Sequence, residues 1–331
     1  RVVQSGAGPG KITATGDAVL NVTGIGGTGS GGMQYGVFLW GASITGGTTG
    51  LVIVSGTAGA SSGDANHGVY LGASTTTITS SGGNVQVVGQ GGGSGSSYNN
   101  EGVRVTGGGR ITAALDGTVS VTGSGGISTG GWNRGVGVWD ENSTITSSGG
   151  NVTINAIGGG TGNSEGNVGV LTAGKGVISS GGNGAVSVNG TGGAAEGNNN
   201  WGVSVRDLES RITSSGGNVS VTGQGGGTGA SADNVGVNLD NGGEITSGGM
   251  GTVTITGTGG SSGGDNNRGV NLDHADSQIT SGGGDITVSG QGGGSGASAL
   301  NFGVRVVQSG AGPGKITATG DATLNVTGIG G

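Results

Sequence analysis

The chain has 331 residues, of which 92 are glycine, 9 % are charged, 3 % are aromatic and none is cysteine. Glycine at this level raises collagen or disorder, but there is no G-X-Y triplet, only two prolines, and aliphatic pairs alternate with polar residues, so both are excluded; no apolar stripe at 3.6 spacing supports a long helix either. The net charge of −7 and a pI near 4.6 leave no basic run to displace counterions from phosphates, which argues against a nucleic-acid partner.

The chain opens on Arg1 to Gly27, RVVQSGAGPGKITATGDAVLNVTGIGG, and the same words return at Arg305 to Gly331 with Val19 replaced by Thr323 as the one change. Between these copies a Gly-Val pair starts a new unit at Gly36, Gly68, Gly102, Gly135, Gly169, Gly202, Gly236, Gly269 and Gly303, at intervals of 32 to 34 residues. The long period is 304 residues (305 − 1), or nine units of about 33.8 residues (304/9), and the expectation is a segment of a longer protein built from near-identical blocks. No apolar run approaches the roughly 18 residues that span a bilayer.

Each unit contains three short alternating runs, as in GVSV, RIT and NVSVTG of Gly202 to Gly223. The first places aliphatics two apart, at Val37 and Leu39, Val69 and Leu71, Val203 and Val205, or Val237 and Leu239. The second contributes one isoleucine per unit, Ile12, Ile44, Ile78, Ile111, Ile145, Ile178, Ile212, Ile245, Ile279 and Ile316. The third adds pairs such as Val85 and Val87, Val219 and Val221, and Val253 and Ile255. Period-two spacing predicts half-buried strands. One unit has about five aliphatics, each contributing roughly 1.5 to 3 kcal/mol on burial, against an ordering cost of about 1 to 2 kcal/mol for every residue, so a unit cannot fold alone.

Pairing each run with its counterpart one unit later keeps every aliphatic in register. This predicts an all-β fold, a three-sided parallel β-solenoid of about ten coils of 32 to 37 residues, one continuous segment over residues 1–331, right-handed by the usual crossover preference. A circuit of 33 extended residues would enclose more space than five aliphatics fill. The segments between third and first runs, such as GQGGGSGSSYNN and GQGGGTGASADN, are therefore expected to leave the wall as solvated loops.

Two residues before the Gly-Val pairs stand Asn66, Asn100, Asn133, Asn167, Asn200, Asn234, Asn267 and Asn301, with Gln34 in the first position. Stacked one turn apart they would form a side-chain ladder and hold a sharp turn in the left-handed region that Asn tolerates. The cadence GVxL, ITSSGG, NVxVTGxGG resembles the large exported β-strand-repeat proteins of bacteria, similar in kind to filamentous haemagglutinin and other adhesin stalks. The resemblance covers the whole chain and transfers no active site. It implies a cell-surface or extracellular location and an adhesive or scaffolding role.

Chemistry is sparse. A solenoid enzyme acting on polysaccharides needs acidic clusters on one outer sheet, whereas the outward positions of the third run are neutral, among them Gln86, Ser120, Thr153, Ser187, Thr254 and Thr287. His67 and His274 stand alone in the sequence, without a nucleophile or carboxylate pattern. Acidic residues gather after the first run: Asp140, Glu141, Asp207, Glu209, Asp240, Asp273 and Asp276. Stacking would bring Asp240 near Asp273, a pair able to hold a hard cation such as calcium; the alternative is a solvated bend balanced by Arg206 and Arg211. All nine aromatics lie within five residues of a Gly-Val pair, predicting one aromatic corner, with Tyr35, Trp40, Trp132, Trp139, Trp201 and Phe302 as a candidate interface. The sequence thus predicts a non-catalytic structural block of an extracellular filament or adhesin stalk. It needs no cofactor, and its partners are further copies of the same fold and glycans. The alternative is an ice- or polysaccharide-binding surface presented by Thr13, Thr45, Thr79, Thr112, Thr146, Thr213, Thr246, Thr280 and Thr317.

Overall fold

The structure, a computed structural model, describes residues 1–3, 8–308 and 312–331, so that residues 4–7 and 309–311 of the two end copies lie outside the described residues. It is a β-solenoid with three parallel sheets of ten strands, and in each sheet a strand pairs with the same run one turn before and one turn after. Ten strands per sheet make nine complete turns. One turn consists of Val203–Arg206 in the first sheet, Arg211–Ser214 in the second and Val219–Gln224 in the third.

The register is the one the aliphatic spacing dictates. Ile212 pairs with Ile178 on one side and Ile245 on the other, and the eight isoleucines from Ile44 to Ile279 form a fully buried column. Val203 and Val205 pair with Val237 and Leu239 in the first sheet, and Val219 and Val221 with Val253 and Ile255 in the third, all buried in one continuous core. The inward residue that follows each isoleucine by two is small: Ser147 and Ser180 donate to the carbonyls of Gly117 and Gly150 one turn back, at 2.7 and 2.8 Å. A small hydroxyl there fills the corner and satisfies a carbonyl that apolar neighbours would leave unpaired.

The glycine of each Gly-Val pair has a steric reason. A Cβ added to Gly236 would lie 2.6 Å from the Gly269 carbonyl oxygen and 2.7 Å from that of Gly223, the glycine near the end of the third run. The third and first sheets meet backbone to backbone at this corner, and a side chain would hold them apart.

The segments between third and first runs differ from the expectation of solvated loops. Their backbones bond from turn to turn, as in Gly226 N to Asn200 O at 2.7 Å and Gly227 N to Gly193 O at 2.9 Å, and they carry buried Asn and Ser side chains. The extra space of the circuit is filled from inside by a polar wall; Gly95, Gly162 and Gly229, with positive φ, turn the chain at its tip.

A further order is visible only here. Successive turns alternate between two types, so that equivalent residues recur two turns apart: Thr76, Ser143, Ser210 and Ser277 are spaced by 67 residues, all buried, and each accepts from a backbone N–H of the previous turn. On the opposite corner Asn84, Asn151 and Asn218 accept from the N–H of Thr118, Ala185 and Thr252, each at 2.9 Å and again only in every second turn.

Candidate functional site

The interior polar wall is built on the asparagines. Asn167 Nδ2 donates to Asn200 Oδ1 at 2.8 Å, Asn234 Nδ2 to Asn267 Oδ1 at 2.9 Å, and Asn66 Nδ2 to Asn100 Oδ1 at 2.9 Å. The same acceptors take backbone bonds, from Asn133 N to Asn167 Oδ1 and Asn200 N to Asn234 Oδ1 at 3.1 Å each, and from Asn267 N to Asn301 Oδ1 at 2.9 Å. Seven of the eight are fully buried and Asn301, in the last turn, is nearly so.

The ladder residue does not occupy the left-handed region. The residue before it does: Met33, Ala65, Asn99, Trp132, Gly166, Asn199, Asp233, Asn266 and Leu300 all have positive φ. An inward side chain cannot sit at the kink itself, because the kink points its residue outward; the turn is made one position earlier and delivers Asn into the core. Sequence reasoning missed the serines that complete the wall. Ser97, Ser164 and Ser231 stand three residues before the asparagines and donate to their Oδ1 atoms at 3.0, 2.9 and 3.1 Å. In the alternate turns Ser128 and Ser262 do so from five residues before, at 3.2 Å each. That alternating offset hid them.

The aromatics do not share one corner. They spread over the outer face of the first sheet and the kinks that border it. Tyr35, Phe38 and Tyr70 stack with centroids 4.9 to 5.3 Å apart, and His67 joins them at 5.5 Å from Tyr35 and Tyr70. Burial, with Tyr70 beside it, pushes the Tyr35 hydroxyl up to about 12. Trp40 is exposed at the end of its strand, and Phe302 is exposed eight turns on. Tyr98, Trp132, Trp139 and Trp201 line a separate groove of about 710 Å³ together with Arg104, Arg134 and Arg206.

Beneath that groove lies Glu101, fully buried, whose Oε1 accepts from Arg104 Nη1 at 2.9 Å and Arg134 Nη1 at 3.0 Å. Burial opposes its charge, but the two guanidiniums prevail and hold the carboxyl below its ordinary value. Glu101 N donates to His67 Nδ1 at 3.2 Å, and burial, the largest influence, pushes the imidazole of His67 down to about 3, so it is neutral. His67 therefore does not stand alone, and neither does His274, whose Nδ1 meets Asp240 and lies 3.6 Å from Asp273. Glu101 and Asp240 each lie 34 residues, one turn, from the histidine they accompany, out of reach of local pattern reading, whereas Asp273 directly precedes His274 in the sequence.

Asp240 and Asp273 are indeed neighbours, but His274 sits between them and Arg305 Nη1 binds Asp273 at 2.9 Å, so side chains of the protein occupy the place expected for a cation. Lys175 is 3.8 Å from Glu141 and 3.6 Å from Glu209 along the same bend. Among the described residues no group of three His, Asp or Glu is arranged to hold a metal, and no helix is long and apolar enough to cross a membrane. On the second sheet the threonines form an outward rank interrupted by Ser179, whose hydroxyl donates to Thr146 at 2.9 Å; Thr280 donates to Thr246 at 2.8 Å. No family model, curated protein or solved structure matches this chain.

Proposed function

We propose that the chain is a non-catalytic structural block of an extracellular bacterial filament or adhesin stalk, with further blocks of the same fold as its partners. One observation carries this: the two near-identical end segments occupy equivalent places in the coil. Val2 pairs with Leu39 as Val306 pairs with Leu272, Ile12 with Ile44 as Ile316 with Ile279, and Leu20 with Val52 as Leu324 with Ile286. A 304-residue period thus equals nine whole turns, and each repetition returns to its starting phase with the cross-section unchanged. An exported protein lacking disulfides draws its rigidity from the bonded backbone and the Asn wall instead.

Chains carrying one, two and four copies of the block, imaged by electron microscopy, test the proposal. Rod length rises by about 43 Å per block, nine turns of about 4.8 Å. Particles that stay compact, or thicken without lengthening, refute it. Labelling intact cells of the source organism with an antibody to the block tests the location, and signal only after lysis refutes it.

A second reading rests on the outward threonine rank of the second sheet, a flat array of hydroxyls in register that suits ice or a neutral polysaccharide. Thermal hysteresis of the purified chain, lost in a Thr146→Val, Thr213→Val double variant, is its expected signature; unaltered freezing behaviour rejects the ice-binding form.

A further inference from the structure

Of the eleven basic residues, three converge on a single indole: the guanidinium carbons of Arg104, Arg134 and Arg206 lie 5.3, 5.0 and 5.6 Å from the ring centroid of Trp139. Only one carboxylate, Glu101, is buried among them. Counted over the groove, the three guanidiniums are matched by Glu101 and by the exposed Asp64 and Glu165 of its lining, but the charges are separated: the guanidiniums gather on Trp139, where Glu101 alone pairs with two of them. Arg206 has no carboxylate partner among the described residues, and the buried Nε atoms of Arg134 and Arg206, Trp139 Nε1 and Glu101 Oε2 have no hydrogen-bond partner there. Arg134 itself is 8 % exposed and lines the groove, so this is an unsatisfied polar cluster directly under an open cavity.

The walls are aromatic and are held in place at a cost. Trp132 has φ 62°, an uncommon conformation for a bulky side chain, and it is 48 % exposed although a core was available one residue away. One turn on, the equivalent position is Gly166, where a Cβ would fall 2.5 Å from Trp132 Cδ1. Gly137 does the same for the floor: its Cβ would lie 2.5 Å from Glu101 Oε2 and 2.6 Å from Trp139 Nε1. Trp201 is fixed by an Nε1–H bond to Asp233 O at 2.7 Å, and Tyr98 tilts against Trp132 with centroids 5.8 Å apart. Trp132 and Trp201 are two turns apart, roughly 10 Å along the axis.

We propose that this groove binds an anionic saccharide, with sugar rings on the indoles of Trp132 and Trp201, the acid group on Arg206 and Arg134, and hydroxyls within reach of Asn99 and Asn199. Indole faces suit the C–H faces of pyranose rings, and a planar guanidinium pairs with a carboxylate or sulfate in two parallel bonds. The groove's volume falls in the range of small-ligand sites, and its length follows the solenoid axis, as an oligosaccharide requires. Trp139 is a positioning residue that orients the guanidiniums.

Titrating the full chain with trigalacturonate, a sulfated galactotriose and neutral galactotriose, followed by tryptophan fluorescence and calorimetry, tests the proposal. At least one anionic trisaccharide quenches the fluorescence and binds ten-fold or more tightly than the neutral one, and the better of the two identifies the acid group. Arg206→Gln brings the anionic sugar to the level of the neutral one. Trp132→Asn removes at least ten-fold of the affinity while preserving the fold, because asparagine occupies the same left-handed position at Asn99, Asn199 and Asn266. A thermal melt of both variants checks the solenoid; if either is unfolded, the decision passes to the wild-type comparison of acidic and neutral sugars. The proposal is overturned by absence of binding, by equal affinity for galactotriose, by equal affinity for a glutamate tripeptide, or by unchanged affinity in the folded variants.

Discussion

Asn167 Nδ2 donates to Asn200 Oδ1, 33 residues further along the chain, at 2.8 Å, and both side chains are fully buried. The bond ties one turn to the next from inside the coil, where water cannot replace it. Asn200→Ala removes the acceptor used by Asn167 Nδ2 and Asn167 N together, and also the donor to Gly197 O. The expected loss is about 1 to 3 kcal/mol for the buried groups left unpaired, read as a lower urea midpoint. Asn155 accepts from Asn189 Nδ2 at 3.0 Å across the same kind of spacing but on an exposed face, and Asn155→Ala is expected to change stability by no more than about 0.5 kcal/mol. Equal effects of the two substitutions would show that burial is not what gives the ladder its strength.

The corner between the third and first sheets tolerates no side chain at Gly236, where the carbonyls of Gly269 and Gly223 stand 2.6 and 2.7 Å from an added Cβ. Gly236→Ala is expected to cost about 1 to 3 kcal/mol through overpacking. Gly29→Ala, with open space around it and no positive φ, is the control and is expected to be close to neutral. Thermal melts of both variants measure the difference, and a Gly236→Ala chain as stable as the parent would remove the steric account of the Gly-Val pairs.

Acid should destabilise the solenoid through His67 and Glu101. In the unfolded chain His67 takes a proton near pH 6.5, whereas in the fold it does so only at about 3. Between these values the unfolded state binds the extra proton, so stability is full above about 6.5 and falls as pH drops through that window, with a slope approaching roughly 1.4 kcal/mol per pH unit. Glu101, held below its ordinary value, contributes stability above the unfolded carboxylate pKa and loses it at still lower pH, in the same direction. His67→Phe keeps a ring beside Tyr35 and Tyr70 and removes the titration. Urea midpoints at pH 8 and pH 4.5 should therefore lie closer together in that variant than in the parent chain, and an undiminished gap would exclude His67 as the cause.

Strand placement was legible in the sequence because each apolar residue of Ile212 or Val219 type repeats with its own unit, and only one pairing keeps all of them buried. The asparagine column was legible for the same reason: Asn200 and its equivalents hold one offset from the Gly-Val pair. The serines escaped because Ser97 and Ser128 sit at different offsets in alternate turns, an order that appears when the walls are superposed in space. The glycines of the corner were visible but unexplained, since crowding by the Gly269 carbonyl is a property of two sheets meeting.

By itself the sequence determined the all-β class, the parallel register, the 304-residue period and the inward column from Ile44 to Ile279, because these follow from period-two alternation and from repetition. Only the tertiary structure decided which side chains meet across turns: Glu101 with Arg134 and His67, Trp139 with three guanidiniums, and His274 between Asp240 and Asp273. Neighbours in a solenoid are about 33 residues apart along the chain and about 4.8 Å apart in space. Chemistry assembled across turns therefore leaves no local motif, whereas the repeating backbone that assembles it does.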